Sequence, residues 1–201
     1  MQFADCVRSR KMVRAFRKAP VDSQLLDRIV DLASRAPSAG KTQGWHLLVL
    51  RDKQTAKFWD LSLPQEKRPS FRWQHLLDAP VIGLVFADPH AYLERYSEPD
   101  KAKTKLGDEV SAWPTPYWTV DASFATMQLL LAAHDAGLGA LFFGVFNGEE
   151  KLRKEFKVPE QMQLIGAVAI GWPKSENLTD QGASAKRPRR KPSEIIREGS
   201  F

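Results

Sequence analysis

Positive side chains are concentrated near the two ends of the chain, where they could bind an anion. The 201 residues carry a formal net charge of +6, which favours an anionic ligand, an anionic surface or nucleic acid as a partner. Two short clusters at opposite ends of one globular chain suit a single phosphate group better than an extended groove, with solvated charge at frayed termini as the alternative. The clusters contain Arg8, Arg10, Lys11, Arg14, Arg17 and Lys18, and Lys186, Arg187, Arg189, Arg190 and Lys191.

A loop of small residues, Pro37-Ser38-Ala39-Gly40-Lys41, is the second candidate for binding chemistry. Small residues allow the backbone to approach a ligand or a partner chain closely. Proline disfavours helix in the residue before it, so the loop ends a helix predicted to begin after Asp22 and precedes a strand predicted over residues 45–50. The pattern is equally consistent with a tight helix-to-strand connection that has no binding role.

Aromatic residues within the irregular stretch 88–119 give a third candidate. Irregular stretches of this length are uncommon in compact domains and tend to carry function. Trp113, Tyr117 and Trp118 would form an apolar wall or lid over a pocket. The commoner role of aromatic residues is to fill the core beneath a loop, and the sequence leaves both interpretations open.

Several familiar chemistries have no anchor in this sequence. It contains no G-x-S-x-G, no P-loop and no G-x-G-x-x-G after a strand. The single cysteine, Cys6, excludes an intrachain disulfide. Aromatic residues are not interleaved with the basic clusters as stacking platforms for nucleic acid would be. The histidines lack a second ligand at metal-binding spacing; they are His46, His75, His90 and His134. We therefore expect no metal ion and no nucleic-acid partner.

The apolar pattern predicts a mixed domain of helices and strands. Two nearly uncharged strands, 140–143 and 164–170, flank an amphipathic helix that Asn147 is predicted to cap. Strands with so few charges belong to the middle of a sheet. The longest helix, 120–136, is apolar on nearly all sides, which predicts a place at the centre of the fold or at a subunit interface.

The chain is long enough for one domain with a substantial core, and we predict a single domain over residues 1–201. Regular apolar spacing ends after Trp172, so that residues 173–201 form a C-terminal extension, with an exposed tether over residues 173–185. No apolar run approaches the length of a membrane span, and the first residues lack the apolar centre of a secretory signal. We expect a cytoplasmic protein without a membrane partner.

Four motifs occur in order along the chain. Residues 10–16, RKMVRAF, are followed by residues 36–45, APSAGKTQGW. The third motif combines residues 132–143 with Val158-Pro159 and residues 167–172, and the last is Arg187-Pro188-Arg189 before Glu194-Ile195-Ile196. These four motifs resemble, in the same order, motifs of the nitroreductase family of flavin-dependent oxidoreductases. The family's versions are R-R-S-x-R-x-F, A-P-S-x-x-N-x-Q-P-W, the L-A-A-x-x-x-G-L-G … L-P … A-x-x-x-G-x-P ending and a terminal basic pair.

The resemblance implies an α+β fold with an antiparallel central sheet flanked by helices. It also implies an intertwined homodimer with two flavin sites at the interface, in which the C-terminal extension crosses to the partner. The small-residue loop would then be offered to the flavin by the partner subunit. The apolar helix 120–136 suits the core of such a dimer.

The resemblance implies FMN as the cofactor, and the basic clusters would bind its phosphate. The segment 143–145 would face the isoalloxazine ring with its backbone. Because the flavin performs the redox chemistry and the protein positions and tunes it, we expect no catalytic acid or base. The positions that match FMN-binding residues are Arg10, Lys11, Met12, Arg14, Pro37, Ser38, Ala39, Lys41, Phe143, Gly144, Val145, Arg187 and Arg189.

The implied activity is hydride transfer from NAD(P)H through flavin N5 to a nitroaromatic, quinone or similar small acceptor, in two half-reactions of a ping-pong mechanism. The sequence departs from the motifs at Met12 (usually serine), Lys41 (usually asparagine) and Gly44 (usually proline). Within the same fold, the alternatives are a flavin-consuming enzyme like the dimethylbenzimidazole synthases and a deazaflavin-dependent enzyme. A non-catalytic flavin-binding protein and an RNA-binding protein are alternatives from other classes.

Overall fold

A four-stranded antiparallel sheet forms the centre of the structure, a computed structural model that describes residues 1–174 and 186–201. Most of the predicted tether therefore lies outside the described residues. The strands are β1 (Trp45–Arg51), β2 (Val81–Ala87), β3 (Gly139–Phe143) and β4 (Gln163–Gly171). Their order in the sheet is β1-β2-β4-β3, and each neighbouring pair is antiparallel. The predicted α+β class and antiparallel central sheet are confirmed.

One predicted strand position is wrong. β4 lies inside the sheet as predicted, but β3 is its edge strand. The edge is covered by the N-terminal segment: Met12 forms a parallel bridge with Ala140, and the Val13 N–H donates to the Ala140 carbonyl at 3.0 Å. An edge strand that is covered by another segment can be as poor in charged residues as a central strand. The apolar pattern alone therefore does not distinguish an edge position from a central one.

Helices cover the sheet, and their ends follow local signals in part. Asp22 accepts from the Leu25 N–H at 3.1 Å, as its predicted capping role requires. Asn147 does not cap its helix, because Gly148, with φ 76°, occupies the cap position instead. The helices are α1 (Phe3–Ser9), α2 (Ser23–Ala33), α3 (Lys53–Ser62), α4 (Pro89–Ser97), α5 (Tyr117–Asp135), α6 (Glu149–Glu155) and α7 (Pro192–Ile195).

The stretch predicted to be irregular contains a helix, α4. Asp88 caps it by accepting from the His90 N–H at 3.0 Å, and Pro89 occupies its first turn. An N-cap aspartate before proline is a helix-start signal, which the surrounding charges and prolines obscured in the sequence. None of the helices in the described part of the chain is long and apolar enough to cross a membrane.

The longest helix, α5, packs across the sheet and is central as predicted. It contacts α2, β1, β2, β3 and β4, and its inner side chains, such as Ala122, Ala125 and Leu129, are fully buried. Its outer side nevertheless carries Phe124 and Met127, which are 48% and 39% exposed. An apolar strip therefore lies open on the outside of the protomer.

Candidate functional site

The N-terminal segment 10–16 is fixed firmly against β3. Val13 is buried and packs over Gly139, where an added Cβ would lie 2.8 Å from the Val13 Cβ. At the end of the segment, Phe16 is fully buried, and its N–H donates to the His75 carbonyl at 3.0 Å. Because the backbone is held at both points, the side chains between them have defined directions.

Arg10 lies at the start of this segment, and two nitrogens of its guanidinium are unsatisfied within the described part of the chain. Its Nε and Nη1 are buried and have no hydrogen-bond partner among the described residues. Buried N–H groups without acceptors are costly, by about 1–3 kcal/mol each. An oxyanion such as a phosphate group would supply acceptors in the bidentate geometry that guanidinium groups favour. Arg10 therefore has the properties expected of an anion-binding residue.

His134 on α5 lies beside Arg10. Its Nε2 is 2.8 Å from the Ser9 hydroxyl oxygen. Burial, and then the positive charge of Arg10, lower the pKa of His134 from its ordinary value of 6.5. The imidazole is therefore neutral at pH 7, and Arg10 supplies the positive charge here.

Arg14 occupies a different environment, the wall of an open apolar cavity of about 310 Å³. Its guanidinium carbon is 5.2 Å from the centre of the Trp73 ring, and its Nη1 donates to the Met12 carbonyl at 3.1 Å. Trp59 and Phe143 stack in another part of the lining, with ring centres 5.9 Å apart and planes at 5°. The cavity is lined by Arg14, Phe58, Trp59, Ser62, Leu63, Phe71, Trp73, Leu76, Leu141, Phe142, Phe143, Gly144, Val145, Phe146 and Asn147.

The cavity brings together two groups of residues that the sequence analysis had placed in one site. Arg14 from the first motif and the segment 143–145 line the same space. Phe146, 92% exposed, also lines it, and its ring lies so close to Gly144 that an added Cβ would be 2.7 Å away. Aromatic walls with a single guanidinium suit a flat ring system with an electron-rich edge.

The small-residue loop lies elsewhere on the protomer. Pro37, Ser38 and Lys41 line an open groove of about 550 Å³, in which Arg14 and residues 143–145 take no part. Lys41 is exposed and has a positive φ of 56°, which is uncommon outside glycine. Within one protomer, the structure thus separates the loop from the apolar cavity.

A buried carboxylate that the sequence analysis missed lies beneath this loop. Asp121 of α5 is 6% exposed, and its Oδ2 accepts from the Ala39 N–H at 2.8 Å and from the Tyr92 hydroxyl at 2.7 Å. Burial, and then the hydrogen bond to Asp121, raise the pKa of Tyr92 far above its usual range. The signal in the sequence was a lone acidic residue within the apolar face of a long helix.

Two of the three predicted pocket residues belong to the core, which corrects that prediction. Trp113 and Trp118 are 8% and 5% exposed, and their rings pack edge-on against Tyr92. α5 begins at Tyr117, which directs Trp118 inward, where its indole N–H donates to the Gln163 side chain at 2.8 Å. Both tryptophans therefore fill the core, which is the role that the sequence left open beside that of a pocket wall. Tyr117 is 43% exposed, and its place in a pocket stays a prediction.

The remaining predicted site residues are on the surface or partly covered. Lys11 is exposed and Met12 is half-buried. Arg187 and Arg189 are exposed in the C-terminal segment 186–201. Their contact with a phosphate group stays a prediction.

Comparison with known proteins gives the family. The family model described as "Nitroreductase family" matches residues 7–172. An NADH dehydrogenase of Thermus thermophilus is 28% identical over 185 residues, covering 83% of this chain and 84% of that protein. A 5,6-dimethylbenzimidazole synthase of Rhodospirillum rubrum is 26% identical over 197 residues, covering 89% and 87%. The solved structure of an FMN-dependent nitroreductase from Clostridium difficile R20291 has a TM-score of 0.67 at 22% identity, covering 99% and 100%. The chain belongs to the nitroreductase family.

Proposed function

We propose that the protein is an FMN-dependent oxidoreductase that takes hydride from NADH or NADPH and reduces a small planar acceptor, such as a nitroaromatic or a quinone. The observation that carries this proposal is the guanidinium of Arg10, whose buried Nε and Nη1 have no hydrogen-bond partner in the part of the chain that the structure describes. It lies four residues before Arg14, which lines the aromatic cavity. One short, fixed segment thus offers an anion-binding group and the wall of a ring-binding space.

The residues present fit FMN. Arg10 would bind the phosphate, and Lys11 and the exposed Arg187 and Arg189 would add positive charge around it. The aromatic cavity would take the isoalloxazine ring, with the segment 143–145 against it. Met12 stands where the family motif has serine. Its carbonyl accepts a hydrogen bond from Arg14 Nη1 at 3.1 Å, and this backbone contact does not depend on the Met12 side chain.

When bound, FMN would supply the hydride-transfer chemistry between the reduced nicotinamide and the acceptor, and the residues of this chain would bind and orient it. Arg14 would attract the negative charge that develops on the ring, more strongly because the cavity walls are apolar. The aromatic side chains would exclude water from the reacting faces. None of these roles requires a side chain that donates or accepts a proton.

The proposal includes a homodimer. Exposed apolar side chains on two adjacent helices, Phe3 and Val7 of α1 and Phe124 and Met127 of α5, suit a contact with a second copy. α1 rests on α5, with the Cys6 thiol donating to the Leu131 carbonyl at 3.5 Å. A dimer also accounts for the separation of the small-residue loop from the cavity, because the loop of one protomer would complete the site of its partner.

The test is the visible absorption spectrum of the purified protein, followed by addition of NADH or NADPH without oxygen. We expect a yellow protein whose flavin absorbance bleaches with a reduced nicotinamide and returns when an acceptor is added. A colourless protein that does not take up FMN would contradict the cofactor assignment. A yellow protein that neither nicotinamide reduces would contradict the donor assignment.

A second candidate is a flavin-consuming enzyme. It is favoured by the similarity to the Rhodospirillum rubrum protein named 5,6-dimethylbenzimidazole synthase. The two functions differ in the fate of the cofactor: an oxidoreductase recovers its flavin after each turnover, whereas a flavin-consuming enzyme destroys it. Chromatography of the flavin after aerobic incubation with NADPH separates them. The same experiment identifies a flavin carrier, which leaves both the flavin and the nicotinamide unchanged.

A further inference from the structure

The loop 38–43 has an unusual backbone conformation. Lys41 and Gln43 both have φ of 56°, and Gly40 between Ala39 and Lys41 has φ of 61°. Lysine and glutamine rarely adopt left-handed conformations, and such residues persist where the surrounding structure fixes them. Strained positions of this kind are concentrated at functional sites. The loop therefore needs an anchor.

Two buried or half-buried side chains from other elements supply that anchor. Asp121 of α5 accepts from the Ala39 N–H at 2.8 Å, and Arg95 of α4 donates from Nε to the Gly40 carbonyl at 2.9 Å. Arg95 is fixed in turn by Asp100, with two contacts of 2.8 Å. The Ser38–Ala39 and Gly40–Lys41 peptide groups are thus each held by a side chain from another element.

Asp121 is the more deeply buried of the two anchors. It is 6% exposed, whereas the Arg95 side chain is 23% exposed. The fully buried Tyr92 donates its hydroxyl to the same Oδ2. Burial of a carboxylate is costly unless it accepts hydrogen bonds, and the carboxylate is placed here to accept one from the loop backbone. A core that needed only packing would be served by an apolar residue at this position.

We propose that Asp121 is a positioning residue of the FMN site, which fixes loop 38–43 in the conformation that the loop presents to the cofactor. The inference rests on the proposed function, because it takes the loop as part of a flavin site completed by two protomers. Asp121 acts through the Ala39 N–H and does not touch the cofactor itself. Tyr92 has the same role one step further away, since its hydroxyl orients the Asp121 carboxylate.

The experiment weakens or removes the Asp121–Ala39 hydrogen bond from each end in the whole chain. Asp121→Asn keeps the shape of the side chain but replaces the charged acceptor by a neutral amide oxygen, which accepts more weakly. Ala39→Pro deletes the donor N–H, and Ser38 before it is already extended (φ −142°, ψ 147°), as proline requires of the preceding residue. Thr126→Val is the matched control, because Thr126 is also buried on α5 and its hydroxyl donates to the Ala122 carbonyl within the same helix.

Three quantities are measured: the FMN dissociation constant by fluorescence quenching, the unfolding temperature of the flavin-free protein, and amide hydrogen exchange of loop 38–43 without flavin. We expect Asp121→Asn and Ala39→Pro to weaken FMN binding at least tenfold and to speed loop exchange. Thr126→Val should leave FMN binding within twofold of the wild-type value, even where it lowers the unfolding temperature as much as Asp121→Asn does.

Equal FMN affinity in wild type and in Ala39→Pro would overturn the positioning role, and so would loop exchange that none of the substitutions changes. A loss of affinity in Thr126→Val as large as in Asp121→Asn would also overturn it, because the effect would then be one of general stability. If Asp121→Asn does not fold, Ala39→Pro decides. A wild-type protein that does not bind FMN would instead overturn the proposed function, and the positioning role with it.

Discussion

The guanidinium of Arg14 lies over the indole of Trp73, 5.2 Å from the ring centre, and joins the N-terminal segment to the loop that precedes β2. A second arginine, Arg72, lies 5.6 Å from the same ring centre. Contacts of this kind contribute about 0.5–2 kcal/mol, depending on how far they are desolvated. Trp73 therefore contributes, together with the hydrogen bond to the Met12 carbonyl, to holding Arg14 at the wall of the apolar cavity.

Replacement of Trp73 should weaken FMN binding in proportion to the loss of this contact. We expect Trp73→Ala to raise the FMN dissociation constant by about three- to thirtyfold, which corresponds to the energy of a partly buried cation–π contact. Trp73→Phe retains an aromatic face and should have a smaller effect. Fluorescence titration with FMN measures both, and equal affinities for wild type and Trp73→Ala would remove Trp73 from the site.

Arg10→Ala should separate cofactor binding from folding. The substitution removes two buried nitrogen donors that have no acceptor among the described residues, so the flavin-free protein should be as stable as the wild type or slightly more stable. The loss of a charged hydrogen-bond donor to phosphate should weaken FMN binding by about tenfold to a hundredfold, that is, about 1.5–3 kcal/mol.

The matched control for Arg10→Ala is Arg8→Ala, which removes an exposed arginine of α1. It should change neither property. A flavin-free Arg10→Ala protein that is clearly less stable, with unchanged FMN affinity, would show that Arg10 is structural. Thermal unfolding and equilibrium dialysis measure the two properties independently.

Phe124→Glu tests the dimer. Phe124 is 48% exposed in the protomer, so a charge there is tolerated by an isolated subunit. In a dimer interface the same charge would be desolvated without a partner, at a cost of several kcal/mol. We expect light scattering to show monomers at concentrations where the wild type is dimeric, with loss of bound flavin. The control is Leu32→Glu on α2, also exposed at 53%, which should leave the dimer intact.

The lowered pKa of His134 predicts how the free energy of unfolding depends on pH. Its pKa in the folded protein lies below the ordinary value of 6.5, first through burial and then through the charge of Arg10. The unfolded chain therefore binds a proton more readily than the folded chain. The stability contributed by neutral His134 is fully present above pH 6.5 and is lost as the pH falls below it.

His134→Asn removes this titration and keeps a polar group near Ser9. The unfolding temperature of the wild type should fall between pH 7 and pH 5 more steeply than that of His134→Asn. Parallel curves for the two proteins would show that other groups cause the acid sensitivity. A steeper curve for His134→Asn would contradict the direction of the pKa shift.

Local signals predicted most of the secondary structure because each depends on residues close in sequence. Asp22 caps α2 through Leu25, three residues away, and the strand predicted over residues 45–50 is β1 (Trp45–Arg51). The errors occur where a distant segment decides the outcome. β3 is an edge strand covered by Met12 and Val13, more than a hundred residues earlier, and no local pattern reports that covering segment.

The features of the candidate site also fall into two groups, those that the sequence identifies and those that depend on packing. The sequence by itself determined the α+β class, the family resemblance and the charge at Arg10 and Arg14, because motif identity and composition do not depend on packing. Only the tertiary structure placed Arg10 beside His134 and Arg14 over Trp73, and moved Trp113 and Trp118 into the core. Side-chain direction follows from how elements pack, and the bond between Asp121 and Ala39 joins residues 82 positions apart. Contacts over that separation exist only once the chain has folded.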